Sequence, residues 1–125
     1  MRKLLILALF LPCLAWGINY QDNLSGKRLI LEGTSCTGVS FSKNSKDAYM
    51  YGEGACAKES ALAFRVRWLD SNTFILIEKN QSNETSPPRT FLYRVQSING
   101  KRVKLTEIWT GWSDFKDETS AYILK

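Results

Sequence analysis

Histidine is absent from the 125 residues of this chain, and that absence excludes a wide range of chemistry. Without an imidazole there is no Ser-His-Asp or Cys-His nucleophile, no His-bound zinc, and no side chain whose ordinary titration falls near neutral pH. Cysteine and proline are scarce, at three residues each. No run of Lys and Arg exceeds two residues, so the net charge of +5 leaves no electrostatic footprint of a nucleic-acid binder. No glycine-rich phosphate cradle is present, because Gly52-Glu53-Gly54-Ala55 is too short and leads into no helical pattern. No apolar run reaches the roughly 20 residues of a membrane-spanning helix.

The longest apolar run lies at the N-terminus. Met1-Arg2-Lys3 is a short positive start, Leu4 to Ala15 is apolar apart from Pro12 and Cys13, and Ala15-Trp16-Gly17 offers small residues at the minus-three and minus-one positions of a cleavage site. This is the form of a secretory signal peptide over 1–17. Its removal leaves 18–125 as one small domain, with no transmembrane segment, destined for the periplasm or secretion. It also removes Cys13 and leaves Cys36 and Cys56, which in an exported chain are expected to form one disulfide. The alternatives are a pair of free buried thiols, and a lipidated N-terminus at Cys13, against which Pro12 stands in the place of the usual small residue.

The rest of the chain reads as strands. Eight segments alternate or are rich in β-branched and aromatic residues: 27–32, 37–42, 47–52, 62–69, 73–79, 89–97, 102–110 and 119–124. Turn residues separate them, among them Asn44-Ser45, Asp70-Ser71-Asn72, Pro87-Pro88 and Asn99-Gly100. One helical turn fits within 56–63. With Asp70-Ser71-Asn72 as a three-residue loop, Trp68 faces Phe74, Val66 faces Leu76, and Arg65 and Arg67 lie beside Ile77 and Ile75 on the opposite face. The same loop type at Ile98-Asn99-Gly100 sets Val95 against Val103 and Tyr93 against Leu105, with Gly100 at the left-handed position. Asn44-Ser45-Lys46 as a loop sets Phe41 against Tyr49 and Val39 against Tyr51, and brings Cys36 within two residues of a position facing Cys56. The fold expected is all-β: a small antiparallel up-and-down barrel of about eight strands with one disulfide, which closes every sheet edge. A two-sheet sandwich is the alternative.

Candidate chemistry is sparse. Glu78 and Glu107 end otherwise apolar strand faces, and an inward pair would serve glycoside hydrolysis at a separation of roughly 5 to 9.5 Å; a rim position is the plainer reading. Asp114, Asp117 and Glu118 lack the ligand spacing of a calcium loop. Trp109 is expected to pack inward, whereas Trp112 and Phe115 follow the strand end and suit interface anchors. Arg65 and Arg67, with their stems over isoleucines, offer a second docking face.

Leu24-Ser25-Gly26-Lys27 resembles the Leu-x-Gly-Lys segment that leads into the first strand of lipocalin-like domains, although Arg28 stands where those domains usually carry Trp. The resemblance implies an eight-stranded barrel with a small apolar ligand site. The chain is also similar to small periplasmic lysozyme inhibitors in size, export and cysteine use, without their inhibitory loop pattern. Together these features predict an exported, non-enzymatic binding protein. In the first form it is an inhibitor or immunity-type module that meets a protein partner in the envelope through Trp112, Phe115 and Trp109. In the second it carries a small apolar ligand, and a carboxylate-dependent hydrolase is the third. No cofactor, metal or nucleic acid is expected. The bulky inward set of Phe64, Trp68, Phe74, Phe91, Tyr93 and Trp109 suggests a filled interior and favours the protein partner.

Overall fold

A computed structural model describes residues 19–81 and 83–125. The expected export signal at 1–17, with Cys13, lies outside the described residues. Eight antiparallel strands form a closed barrel in which each pairs with its sequence neighbour and the last returns to the first. They are β1 (Arg28–Leu31), β2 (Gly38–Phe41), β3 (Asp47–Tyr51), β4 (Leu62–Trp68), β5 (Thr73–Glu78), β6 (Thr90–Asn99), β7 (Arg102–Ile108) and β8 (Glu118–Leu124). Closure runs through β1 and β8, where Leu29 faces Leu124 and Leu31 faces Tyr122. Among the described residues no helix is long and apolar enough to cross a membrane.

Alternation accounts for the core. Leu29, Val39, Phe41, Ala48, Phe64, Phe74, Leu76, Val95, Val103 and Leu105 point inward from successive strands and are buried. Phe74 is the hub. It meets Phe41 edge-on at 5.4 Å, Trp68 at a tilted 4.9 Å and Tyr93 in a 5.4 Å stack, geometries that add to the area each ring removes from water. Cys36 and Cys56 are bonded, with Cα atoms 5.5 Å apart. A covalent link across 20 residues is worth about 3 kcal/mol in the chain-entropy model, and suits an oxidising environment.

The β4–β5 register is the expected one, with Trp68 facing Phe74, Val66 facing Leu76, and Arg65 and Arg67 beside Ile77 and Ile75. Two other hairpins differ. Between β6 and β7, Tyr93 faces Glu107 and Val95 faces Leu105; an irregularity between Val95 and Ser97 then restores the pairing of Ile98 with Val103. The bulge puts Val95 and Ile98, three apart in sequence, on the same inner face. Gly100, at φ +63°, then sits in a two-residue turn with Lys101. Between β2 and β3, Phe41 faces Ala48 and Val39 faces Met50, one residue from the expected register. The loop holds four residues instead of three: Ser42 and Asp47 are joined by a backbone bond, Asn44 accepts the Lys46 amide, and Ser45 takes φ +60°. Small Ala48 and flexible Met50 therefore fill the interior, and Tyr49 falls on the outer face.

The helical turn expected within 56–63 is a single 3-10 turn, Lys58–Ser60. A second short element, α1 (Tyr20–Leu24), precedes β1. Asn19 caps it by accepting the Gln21 amide, and Leu24 reaches the core at 1 % exposure. The Tyr20 amide binds Ser71 in the β4–β5 turn, and the Gly26 amide binds Ser42 beside the β2–β3 loop. Helix α1 and the short turns thus close one end of the barrel. The longer β1–β2, β3–β4, β5–β6 and β7–β8 connections gather at the other.

Candidate binding site at the open end of the barrel

The disulfide frames one side of the open end by joining the β1–β2 and β3–β4 connections. Glu53 reinforces the join by accepting the Ser35 amide at 3.3 Å. Bonds from Ser35 hold its carboxyl below the ordinary range.

On the other side, the β7–β8 loop is built around Trp109. Its indole N–H donates to the carbonyls of Trp112 and Ser113 at 3.1 and 3.0 Å, and Phe115 packs edge-on against it at 5.0 Å. Asp117 accepts the Trp109 amide at 2.9 Å. Gly111 is required here, since a Cβ would lie 2.5 Å from the Trp109 ring. Trp109 was expected inside the barrel; instead β7 ends at Ile108, and the ring turns out to become the core of the loop. The outcome is an ordered loop that presents its remaining aromatics. Trp112 is 92 % exposed and Phe115 62 %. A groove of about 600 Å³ runs beside it, between Pro87 and Pro88 on the β5–β6 loop and Trp109 to Trp112 on this one. Arg65 and Arg67 do not join this site. They lie on the outer wall of β4, paired with β5 isoleucines.

The two glutamates singled out in the sequence have unlike surroundings. Glu78 Oε2 accepts from Nε and Nη2 of Arg89, at 3.1 and 2.7 Å, and its Oε1 accepts the Arg89 amide. These bonds hold its carboxyl below the ordinary range. Glu107 has no such partner. Burial, and then the charge of Glu118, raise its pKa. The two line separate recesses, and the residue that faces Glu107 across the sheet is Glu118.

Below the rim the barrel is hollow. One recess of about 150 Å³ is bordered by Val39, Met50, Tyr51 and neighbouring backbone. Another, of about 200 Å³, is bordered by Glu107, Glu118, Ser120 and Leu31. Tyr93, Leu105 and Tyr122 line both. Burial and the Glu107 charge raise the pKa values of both tyrosines. Of the bulky residues expected inside, Trp68 and Phe74 fill the barrel towards α1, whereas Tyr93 borders the space left at the mouth and Trp109 lies in the loop. Glu118, Tyr93 and Tyr122 were not foreseen as site residues. Extending the inward alternation of β8 back from Tyr122 through Ser120 reaches Glu118 and would have found it. Among the described residues no group of three or more metal-ligating side chains occurs.

No family model, curated protein or solved structure matches this chain.

Proposed function

We propose that this chain is an exported, non-enzymatic binding protein that docks a protein partner at the open end of its barrel. Its setting is the periplasm or the extracellular space. Its role is that of an inhibitor or immunity-type module acting on a secreted hydrolase or toxin. The observation that carries this reading is Trp112. A large aromatic 92 % exposed loses free energy in water, yet here it is held outward on a loop whose own core is complete. Ordered, solvent-facing tryptophans are the residues that most often anchor interfaces. The adjacent groove with its two prolines offers room for a partner's apolar segment, and the disulfide stiffens the opposite rim, which lowers the ordering cost of binding.

The test is capture from an envelope extract. Trp112→Ala should abolish recovery of the partner while the circular dichroism spectrum stays that of the parent. Undiminished capture by a folded Trp112→Ala protein removes this loop from the site. The hollow mouth supports a second reading, a lipocalin-like carrier of a small ligand, because small closed barrels hold one such ligand when side chains do not fill them. Each recess lies below the roughly 300 Å³ at which ordinary ligand pockets begin, so the cargo in that reading is small.

A further inference from the structure

The wall of the barrel from β4 to β7 is sorted by charge. Arg65, Arg67, Arg94, Arg102 and Lys104 all take outward positions, whereas the acidic residues of the same strands, Glu78 and Glu107, take inward ones. Glu32 neutralises Arg102. No ion pair among the described residues involves Arg65, Arg67, Arg94 or Lys104, and all four are exposed. Of the acids at the margins, Asp47 is held by Lys79 at 2.9 Å, and Asp70, in the turn below Arg94, accepts the Asn72 amide. Apolar surface lies between the cations. Arg67, Ile75, Leu92 and Ile108 form one row across the sheet, and Ile77 faces Arg65 in the next. Leu69 continues the outward alternation of β4, its amide bonded to Thr73 across the hairpin, and it stands 56 % exposed. In that row Thr73 faces Arg94.

We propose that this wall lies on a bilayer surface rich in anionic phospholipid, its guanidinium groups on lipid phosphates and Leu69 pressed into the boundary between headgroups and acyl chains. Arginine pairs bidentately with phosphate. Binding at a bilayer surface scales with the apolar area buried plus the attraction of basic residues to anionic lipid, and this wall offers both. It is the convex side of a closed barrel, and the groove and recesses of the mouth do not reach it. An acidic protein would need a concave match to four spaced cations, whereas lipids arrange their phosphates around the charges that settle on them. The proposal is independent of the protein-docking reading, which rests on Trp112, and adsorption on this wall leaves the open end uncovered.

The probes are vesicles of phosphatidylglycerol and phosphatidylcholine in equal parts, and vesicles of phosphatidylcholine alone, each sedimented with the purified, oxidised protein. The expected result is saturable binding to the mixed vesicles, at least about tenfold tighter than to phosphatidylcholine alone and weakening as sodium chloride rises from about 0.05 to about 0.5 M. Each cation near an anionic surface contributes about fivefold in affinity, so Arg67→Gln with Arg94→Gln should bind about 25-fold more weakly. Leu69→Ala should weaken binding by about threefold or more. Lys27→Gln with Lys43→Gln, which removes the same charge from the β1–β2 side of the barrel, should change it by less than about twofold. All five positions are exposed, so these variants are expected to fold, and thermal melts check that they do. No binding to the mixed vesicles, equal binding to both kinds, an undisturbed affinity in the Arg67 and Arg94 variant or in Leu69→Ala, or an equal loss through the Lys27 and Lys43 variant would each overturn the proposal. Arginine-dependent capture of an acidic protein without vesicle binding would overturn it too, and would give the wall to that partner.

Discussion

The two ends of the barrel are built on opposite terms. At the closed end, α1 crosses the short turns, the amides of Tyr20 and, just past the helix, Gly26 bind Ser71 and Ser42, and Leu24 plugs the core. Those contacts favour the folded state, although the Trp68 indole N–H is buried there without a hydrogen-bond partner and Leu69 stands exposed. At the open end, the longer connections expose Trp112, set Glu107 against Glu118 and leave the barrel hollow beneath them. Each of those features costs stability, and a disulfide holds that end together. Strain and unpaired groups that persist in a fold concentrate where it meets its ligands. The contrast therefore assigns stability to one end and recognition to the other.

Substitutions at each end probe that division. The largest effect belongs to Leu24→Ala, which removes a side chain 1 % exposed and should lower stability in urea by about 2–5 kcal/mol. A loss well below that would mean α1 merely rests on the barrel. Replacing Cys36 and Cys56 together by Ser should cost about 3 kcal/mol, seen as the same displacement of the urea midpoint that reductant produces in the parent. Glu118→Gln should act the other way, stabilising by about 0.5 kcal/mol near neutral pH. A loss of stability would show that the two carboxylates do not repel.

That gain depends on pH, with a definite sign. The pKa of Glu107 is raised in the folded state above its ordinary value of 4.5, so the folded protein holds that proton more tightly than the unfolded chain. Its contribution is fully present below about pH 4.5 and is lost as the pH rises through the folded value. Burial and, after it, the charge of Glu118 act on it. The stabilisation by Glu118→Gln should therefore shrink between pH 7 and pH 4 in thermal melts. Glu78, lowered by Arg89, contributes with the opposite sign: its share is present above the ordinary carboxylate range and is lost as the pH falls. Trp112→Ala should have the smallest effect on stability, within about 0.5 kcal/mol, because the ring makes no core contact.

Much of the barrel was legible in the chain because period-two alternation is a local property that strand sequences carry openly. All eight strands fall within one or two residues of their expected limits, and Asp70-Ser71-Asn72 set the β4–β5 register correctly. The two register differences arise where local turn residues do not decide the outcome. At β2–β3, Asn44-Ser45-Lys46 reads as a three-residue loop, but Lys43 joins it, so Ala48 and Met50 face inward in place of Tyr49 and Tyr51. At β6–β7, a bulge kept Val95 and Ile98 both inside, which simple alternation forbids. Trp109 was misplaced for a related reason: parity extends a strand indefinitely, whereas Gly111 and Asp117 end it. Helix α1 is a single turn, too short to leave a helical period. The Glu107–Glu118 pairing was hidden because the last strand was begun one residue late, at Thr119.

The division between the ends is tested most directly by comparing two exposed hydrophobic residues. Leu69, 56 % exposed, lies beside the closed end, and Trp112 at the open one. Leu69→Ala and Trp112→Ala should both melt with the parent, yet only Trp112→Ala should lose the partner captured from an envelope extract. Equal capture by both variants, or loss through Leu69→Ala alone, would contradict the assignment of recognition to the open end.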